Sequence, residues 1–538
     1  MKRLLLLLLL LQAMVSCTKV LDKKPTDFVE PGNYYNSESE LNLSLNAVYD
    51  ILGNENLYCS SLWFQLGICT DEAFYAFSSN SYSAPMFYQF EYTNAYITGL
   101  WQQCYIGIER ANLLIANINR ASMEEGKRQV ILGEALFLRA YYHFLLVSNY
   151  GKVPLKLTPS ADVNSVNVPA ATVKEVYEQI LADMKLAETK VKTVSQIGNS
   201  SRISKTAVQG ILARVCLNMA GYPLLDDSKY AEALHWTEEV VKSNEHALRT
   251  TYNTAITNSA YSQIFIDQCQ DIYEVKESMW EADFNTNSNN TAYWEMGKLG
   301  TMNLACNNID TGFAGGNIKT TIKLYNLYGA GDLRRDWAIC PYYYSSSSAT
   351  TAVRTNYTAS NIIGREAGKW RRSFEKSAAP KLQYTNGTNF PILRFADVLL
   401  MQAEADNAMT AMPSATAYNA INQVRRRAYG LPVNSPSTVA DLPATLNKIQ
   451  FQQAIMDERA RELCMEGLRK SDLIRWGKFQ DVMSAMVTEI NSSNASSTNK
   501  SRWVLGYFTA ASSSKFLLLP VPSLEINVNK ALVQNPGW

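Results

Sequence analysis

The 538-residue sequence predicts a mostly α-helical protein, a tetratricopeptide-like helical-repeat scaffold with a loop-rich, irregular ligand-binding half. Three observations carry this. Apolar residues recur at spacings of three and four over several long stretches, as on helices with one buried face. Helix pairs recur along the chain, each a small-residue-rich helix, a short break and a second helix with Tyr and Ala near its start, without a regular period of about 34 residues. Between the pairs, about 246–390, the texture turns to Asn, Ser, Thr, Gly and Tyr, which reads as loops. With 47% apolar residues, the chain can bury a large core.

The N-terminus comes first. Lys2 and Arg3 precede eight leucines, Leu4 to Leu11. That run is shorter than the ~20 residues of a membrane-spanning helix but suits a signal-peptide core. The closing "QAMVSC" resembles a bacterial lipoprotein cleavage box, with Met14 and Val15 departing from the usual residues. We therefore expect a signal peptide over 1–16, a lipidated Cys17, a tether over 17–37 containing Pro25 and Pro31, and a single domain over 38–538. No later run reads as long and apolar enough to span a membrane, so the body is expected to be exported and tethered. Formal charge is +1, from 50 basic and 49 acidic residues, and gives no footprint for nucleic acid.

The helical pattern starts at Ser37 and runs through Leu41, Leu45, Val48 and Leu52. A second helix is predicted over Trp101–Asn119. The stretch "QVILGEALFLRAYYHFLLVSNYG" carries a stripe of Ile131, Ala135, Leu138, Tyr142 and Leu145, and Gly151 and Pro154 stop it. Ala135 and Ala140 leave room for a neighbouring helix. Two further pairs follow, Ser204–Ala220 with Lys229–Ser243 and Phe395–Met409 with Ser414–Tyr429. Within 246–390, "EVKESMWEADF" alternates enough for a strand. "NSSNASSTNKS", Asn491 to Ser501, reads as a polar loop.

Catalytic and metal signatures are missing from the sequence. It contains no HExxH, GxSxG, Walker A or dinucleotide fingerprint, and its cysteines show no CxxC or metal-ligand spacing. We expect no cofactor and no metal. Cys216 and Cys464 read as buried hydrophobes, and Cys59 and Cys69 could pair in an oxidising compartment. His143 reads as a core residue. His235 and His246 lack ligand partners nearby in sequence. The acidic pair Asp71-Glu72 reads as a solvated loop start.

The densest charge cluster is "MDERARELCMEGLRKSDLIRWGKF", Met456 to Phe479. Asp457 and Arg461, Glu458 and Arg461, and Arg459 and Glu462 are helix-surface neighbours, with Gly467 as a C-cap. Each acid has a base within reach, so the cluster reads as structural ion pairs rather than catalytic carboxylates.

This segment resembles the C-terminal signature of the SusD/RagB family, the surface nutrient-binding lipoproteins of Bacteroidetes. So do "CTKVLDKKPTDF", "EALFLRAYYHFLLVSNYGKVPL", "PILRFADVLLMQAEADNA" and "FLLLPVPSLEINVNKALVQNPGW". The blocks come in the family's order along the whole chain. The resemblance implies a tetratricopeptide-like helical fold with a looped half and a non-catalytic binding role. It also implies an outer-membrane, cell-surface location through a lipid anchor, and a SusC-like TonB-dependent transporter as partner. It further implies oligosaccharide capture at an aromatic arc supplied by loops, with specificity in 246–390.

Sugar binding needs flat apolar faces to stack on pyranose rings and planar polar groups to meet hydroxyls. Two segments supply both. One offers Tyr75, Tyr82, Phe87 and Tyr88 beside Asn80. The other offers Tyr293 and Trp294 beside Asn289 and Asn290. A third candidate is Tyr342 with Tyr343. Trp101, Trp280 and Trp476 are expected in the core. Two rival readings stay open: a surface glycoside hydrolase, for which Asp71 and Glu72 are the acids left over, and a binder of peptide instead of glycan.

Overall fold

The computed structural model describes residues 34–162, 166–285, 296–308, 311–345, 353–376, 381–382 and 384–538. Cys17 and the quartet Asn289, Asn290, Tyr293 and Trp294 lie outside the described residues. Helices dominate: α1 (Glu38–Tyr49), α2 (Ala95–Asn117), α3 (Glu125–Tyr150), α4 (Val173–Glu188), α5 (Lys205–Ala220), α6 (Lys229–Lys242), α7 (Ala260–Cys269), α8 (Phe395–Met409), α9 (Ala415–Ala428), α10 (Lys448–Leu463), α11 (Arg469–Arg475), α12 (Phe479–Ser492) and α13 (Ser497–Ala511). Shorter helical turns are left unlabelled.

Local chemistry explains the boundaries. Ser37 and Glu40 close a capping box at the start of α1, and Leu41, Leu45 and Val48 are buried. Leu52, the last residue of the expected stripe, falls in the 3-10 turn Asp50–Gly53. Helix α2 starts six residues before Trp101, because the Asn94 side chain accepts the Tyr96 N–H and caps it there. Helix α3 ends at Gly151, whose φ of +74° suits glycine and whose N–H donates to the Val147 carbonyl. Gly107 of α2 faces Tyr142 of α3. A Cβ there would sit 2.5 Å from the ring, so glycine permits the close approach. Contrary to expectation, α3 is long and apolar enough to cross a membrane. Most of its surface is instead buried within the fold, as befits a core helix.

The helix pairs pack as a continuous scaffold. Helix α3 lies on α2 and α4, α5 on α4 and α6, and α8 on α6, α9 and α10. A contiguous apolar core takes residues from Tyr35 to Leu532. Ser497–Ala511 is helical where the polar stretch predicts loop. Ser496 caps it, and Trp503, Tyr507 and Ala510, beyond the polar window, bury its face.

The irregular half carries small sheets. The strands are β1 (Ala73–Tyr75), β2 (Ser278–Ala282), β3 (Cys306–Asn308), β4 (Gly312–Ala314), β5 (Ile318–Thr320), β6 (Tyr342–Tyr344), β7 (Arg354–Asn356) and β8 (Phe390–Arg394). They pair antiparallel as β1–β5, β2–β8, β3–β4 and β6–β7. The predicted strand is thus β2, but both it and β8 are buried throughout rather than alternating.

The charge cluster of α10 is a buried network, and its partners are mostly long-range. Of the three expected surface pairs, only Glu458–Arg461 forms, at 2.6 Å. Glu458 also meets Arg334 and Arg425, and Glu462 meets Arg334, Arg394 and Arg427, all within 3.0 Å. Arg459 turns to Asp397 and Asp472 rather than Glu462, and Asp457 accepts from the Gln453 amide. Glu458 and Glu462 are fully buried. Burial alone would raise their pKa values; the surrounding guanidinium groups outweigh it and hold both carboxyls well below the usual range. Helix α10 stops at Leu463. Gly467, at φ +75°, serves the following turn rather than the helix end.

Helix α2 also sets the long dimension that matters below. Its N-terminal end carries Tyr96. Just past its C-terminal end, the Arg120 guanidinium donates to the Asn36 side chain at 3.3 Å, beside the first described residues. At 1.5 Å per residue, the helix separates these ends by roughly 34 Å.

Candidate ligand-binding site

The pole at the start of α2 gathers four separate segments. Asn54 accepts the Asn56 N–H at 2.9 Å and opens the tight turn Glu55–Cys59. Asn56 lies directly on Gly99 of α2, where a Cβ would fall 2.3 Å from the amide, and this seats Glu55 near Tyr96. The β1–β5 ribbon pairs Tyr75 with Ile318 and brings Asn317 alongside; its carbonyl accepts the Ala76 N–H at 2.8 Å. The last segment enters at Met296, whose carbonyl faces the Cys59 thiol at 3.3 Å. Lys298 follows, and its ammonium pairs with the Glu55 carboxylate.

Aromatic rings climb from the core to this surface. Phe64 and Phe87 are buried. Tyr75 touches both, with ring centroids at 6.2 and 6.1 Å, and leads to Phe77 at 5.8 Å. Tyr82 touches Phe64 at 6.4 Å and leads to Tyr96 at 6.1 Å. Phe77 is 47% exposed, and Tyr82 and Tyr96 are partly exposed. The outer rings are therefore held by inner ones, which fixes their faces without closing them off.

Polar groups frame the rings. Tyr82 hydrogen-bonds the Gln65 side chain, and Tyr75 that of Asn317. Ser60 in turn donates to the Gln65 oxygen at 3.0 Å. Desolvation, then the Glu55 charge, pushes the Tyr96 hydroxyl up to about 12. Desolvation, then neighbouring tyrosines and Glu55, raises Tyr82 further, so both phenols stay protonated as neutral donors and acceptors. An open groove of about 770 Å³ continues past Tyr96, lined by Ser81, Gln89, Thr93 and Asn94.

The predicted residues divide. Tyr82 stands in the outer tier. Asn80 is exposed, but its amide oxygen holds the turn by accepting the Tyr82 and Ser83 N–H groups at 3.0 Å. Tyr75, Phe87 and Tyr88 are corrected to core. Tyr88 is buried and donates to the Cys69 carbonyl at 3.0 Å, so its polar tip and ring are already satisfied. Tyr342 is also buried, on the β6–β7 hairpin, with the Arg354 guanidinium 4.7 Å over its ring. Its neighbour Tyr343 is exposed against Tyr357 at 5.1 Å. Asn289, Asn290, Tyr293 and Trp294 lie outside the described residues.

Sequence reasoning missed Glu55, Gln65, Tyr96, Lys298 and Asn317. Each is singly unremarkable and becomes part of the site only through contacts over long chain separations. The Tyr96 position just inside a helix start, after a capping Asn, is the signal that could have found it.

Asp71 and Glu72 are not solvated. Arg469 holds Asp71 in a bidentate pair at 2.8 Å, with Lys323 at 2.6 Å. Against the cost of burial, these bases keep Asp71 well below the usual carboxylate range. Glu72 is buried and accepts the Met465 N–H at 3.1 Å. Burial pushes it up to about 8 despite Arg469, and the Asp71 charge adds to the rise. A pair so enclosed cannot flank a glycosidic bond. Cys59 and Cys69 are separate buried thiols. His143 is buried with Nδ1 at 2.9 Å from the Arg139 carbonyl, and His246 bridges Thr206 and the Val275 carbonyl. Trp101 and Trp280 are core, and Trp476 is partly buried with its N–H on Glu404.

Two family models match the chain. The model of the SusD family matches residues 276–538, and a second, described as starch-binding and associating with the outer membrane, matches 19–217. A SusD-like protein of Formosa agariphila is 24% identical over 97% of this chain and 95% of its own length. Among solved structures, a SusD homolog from Bacteroides thetaiotaomicron superposes with a TM-score of 0.85 at 26% identity, covering 94% of this chain and 98% of the other. Surface glycan-binding protein A from Bacteroides fluxus shares the fold, with a TM-score of 0.70 at 22% identity over 94% of this chain and all of its own.

Proposed function

The chain belongs to the SusD family, and from that premise we propose that it captures oligosaccharide at the cell surface and passes it to a TonB-dependent transporter in the outer membrane. The observation that carries the reading is the graded aromatic tier. Phe77, Tyr82 and Tyr96 offer ring faces, and Asn317 and Glu55 supply planar polar groups beside them. Stacking desolvates the flat face of a sugar, and the amides and carboxylate meet its hydroxyls. Names of similar proteins, which include glycan binding, support the same ligand class. Asn289, Asn290, Tyr293 and Trp294 are kept in this reading as ligand contacts on their sequence context alone.

The body hangs from a lipid on Cys17, through the tether over 17–37, after removal of 1–16. The remainder, 38–538, acts as one binding domain. Among the described residues the one helix apolar enough to cross a membrane, α3, is buried in the core, so this reading assigns transport to a partner. Titration calorimetry against a panel of neutral oligosaccharides tests the binding step. Wild type is expected to bind at least one member, and Tyr82→Ala with Tyr96→Ala to bind it more than tenfold more weakly with unchanged melting curves. Unaltered affinity in the double variant would move the site elsewhere. Co-purification with a barrel from detergent-solubilised membranes tests the hand-over, and Cys17→Ala should abolish membrane fractionation.

A further inference from the structure

The Glu55–Lys298 pair is lopsided. Its acid is 51% exposed and its base only 18%. Both charges reach the buried Cys59 thiol, Lys298 lowering and Glu55 raising it. The carboxylate, the more exposed of the two, also reaches the Tyr82 and Tyr96 hydroxyls at the surface. An ion pair of this shape is neutral in sum but not at the surface that a ligand meets. The other groups at the rim do not restore the balance. Tyr82, Tyr96 and Asn317 are uncharged, and Glu91, which lines the adjoining groove, adds a second acid. The groove's one lining base, Lys515, lies over the Trp538 ring at 4.2 Å.

Resting on the glycan reading above, we infer that this site selects uncharged glycans, and that Glu55 is the residue that rejects anionic ones. A carboxylate accepts hydrogen bonds from sugar hydroxyls and has none to donate. Facing a neutral chain, its exposed oxygen is an orienting acceptor for a diol. Facing a uronate or a sulfate ester, the same oxygen meets a like charge and offers no donor to offset it. Like charges a few ångströms apart near a protein surface repel strongly enough for at least tenfold discrimination. Specificity of this kind comes from a repulsive element rather than an extra contact. The tyrosine hydroxyls do not substitute for a base, because both remain neutral at physiological pH.

The test pairs each neutral oligosaccharide with its own C6-oxidised form, so that linkage and size stay fixed and only charge changes. Calorimetry on the full chain should show at least tenfold tighter binding of the neutral member. Glu55→Gln, which removes the charge and keeps the shape, should strengthen binding of the oxidised member at least fivefold; Glu55→Asp should not. The preference should also shrink as salt is raised. Equal or tighter binding of oxidised glycans by wild type overturns the inference and leaves glycan capture standing, as does a preference that Glu55→Gln fails to change. Binding of neither member of any pair overturns the glycan reading and this inference together.

Discussion

Helix α10 with its basic partners and the aromatic tier beside α2 are both rich in groups that bind things, yet they end in opposite states. Around α10, Glu458 and Glu462 are each surrounded by three guanidinium groups and are sealed from water. In the tier, rings pass gradually from buried Phe64 and Phe87 to open Phe77, and one oxygen-rich side chain, Glu55, remains half outside. The difference teaches that charge density is a poor guide to function. What counts is whether bonding capacity is used up inside the fold. A closed network stabilises the fold, whereas a graded one leaves faces for a ligand.

The comparison can be broken most forcefully at Glu462. Glu462→Ala removes a buried acid from Arg334, Arg394 and Arg427 and leaves them facing one another. A loss of ~3–5 kcal/mol is expected, because uncompensated buried charge is the costly product. Denaturant titration reads it, and glycan affinity of the folded fraction should not move. Tyr88→Ala should cost ~3 kcal/mol of stability, as large-to-small core changes do, again without a specific effect on binding. If Tyr88→Ala instead spared stability and abolished binding, the boundary between the two regions would be misdrawn.

Glu72 sharpens the contrast from within the closed region. Asp71 takes Arg469 and Lys323, and Glu72 is left protonated with a pKa of about 8. A free Glu titrates near 4.3, so the unfolded chain releases this proton first. The associated stability is complete below about pH 4 and is lost as pH rises toward about 8. Asp397, held at about 2 against its burial by Arg459 and Arg214, has the opposite sign; its contribution is present above about pH 4 and lost as pH falls toward 2. Glu72→Gln should therefore gain on wild type between pH 5 and pH 6.5, by roughly 2 kcal/mol. Thermal melts at the two pH values check this, and a gain that shrinks with rising pH would show Glu72 to be charged in the fold.

The smallest effect belongs to the open region. Tyr96→Ala should weaken glycan binding by ~1–1.5 kcal/mol, about tenfold, while the melting curve stays near wild type. Equal losses in stability would mean that Tyr96 is a core residue with a visible edge.

Much of the scaffold is legible in the sequence, because periodic apolar spacing and caps act over a few residues. Phe395–Met409 is helical to the residue, and Ser204, Ser414 and Gly151 mark the ends that their chemistry suggests. The ion network is legible in kind but not in pairing. Helical spacing can propose Arg459–Glu462, but only the fold shows that Arg459 reaches Asp397 instead. The site is the least legible. Tyr82 sits among aromatics and polar residues, but so do Tyr75, which packs between Phe64 and Phe87, and Tyr88, which packs against Phe479 and Phe516. Tyr88 and Tyr82 differ in position along a gradient of burial, and composition carries no such coordinate.

Helix α2 has one more consequence. Tyr96 stands at one end and the Arg120–Asn36 contact at the other, roughly 34 Å away. In the proposed anchoring through Cys17, the tether would join the described fold at the end bearing Asn36, so α2 would work as a mast. It would set the rings roughly 34 Å from the point where the tether joins, about the thickness of a bilayer core. A polymer drifting past the cell would meet the site before it met the mooring, and a bound chain could trail sideways without fouling the line that holds the protein in place.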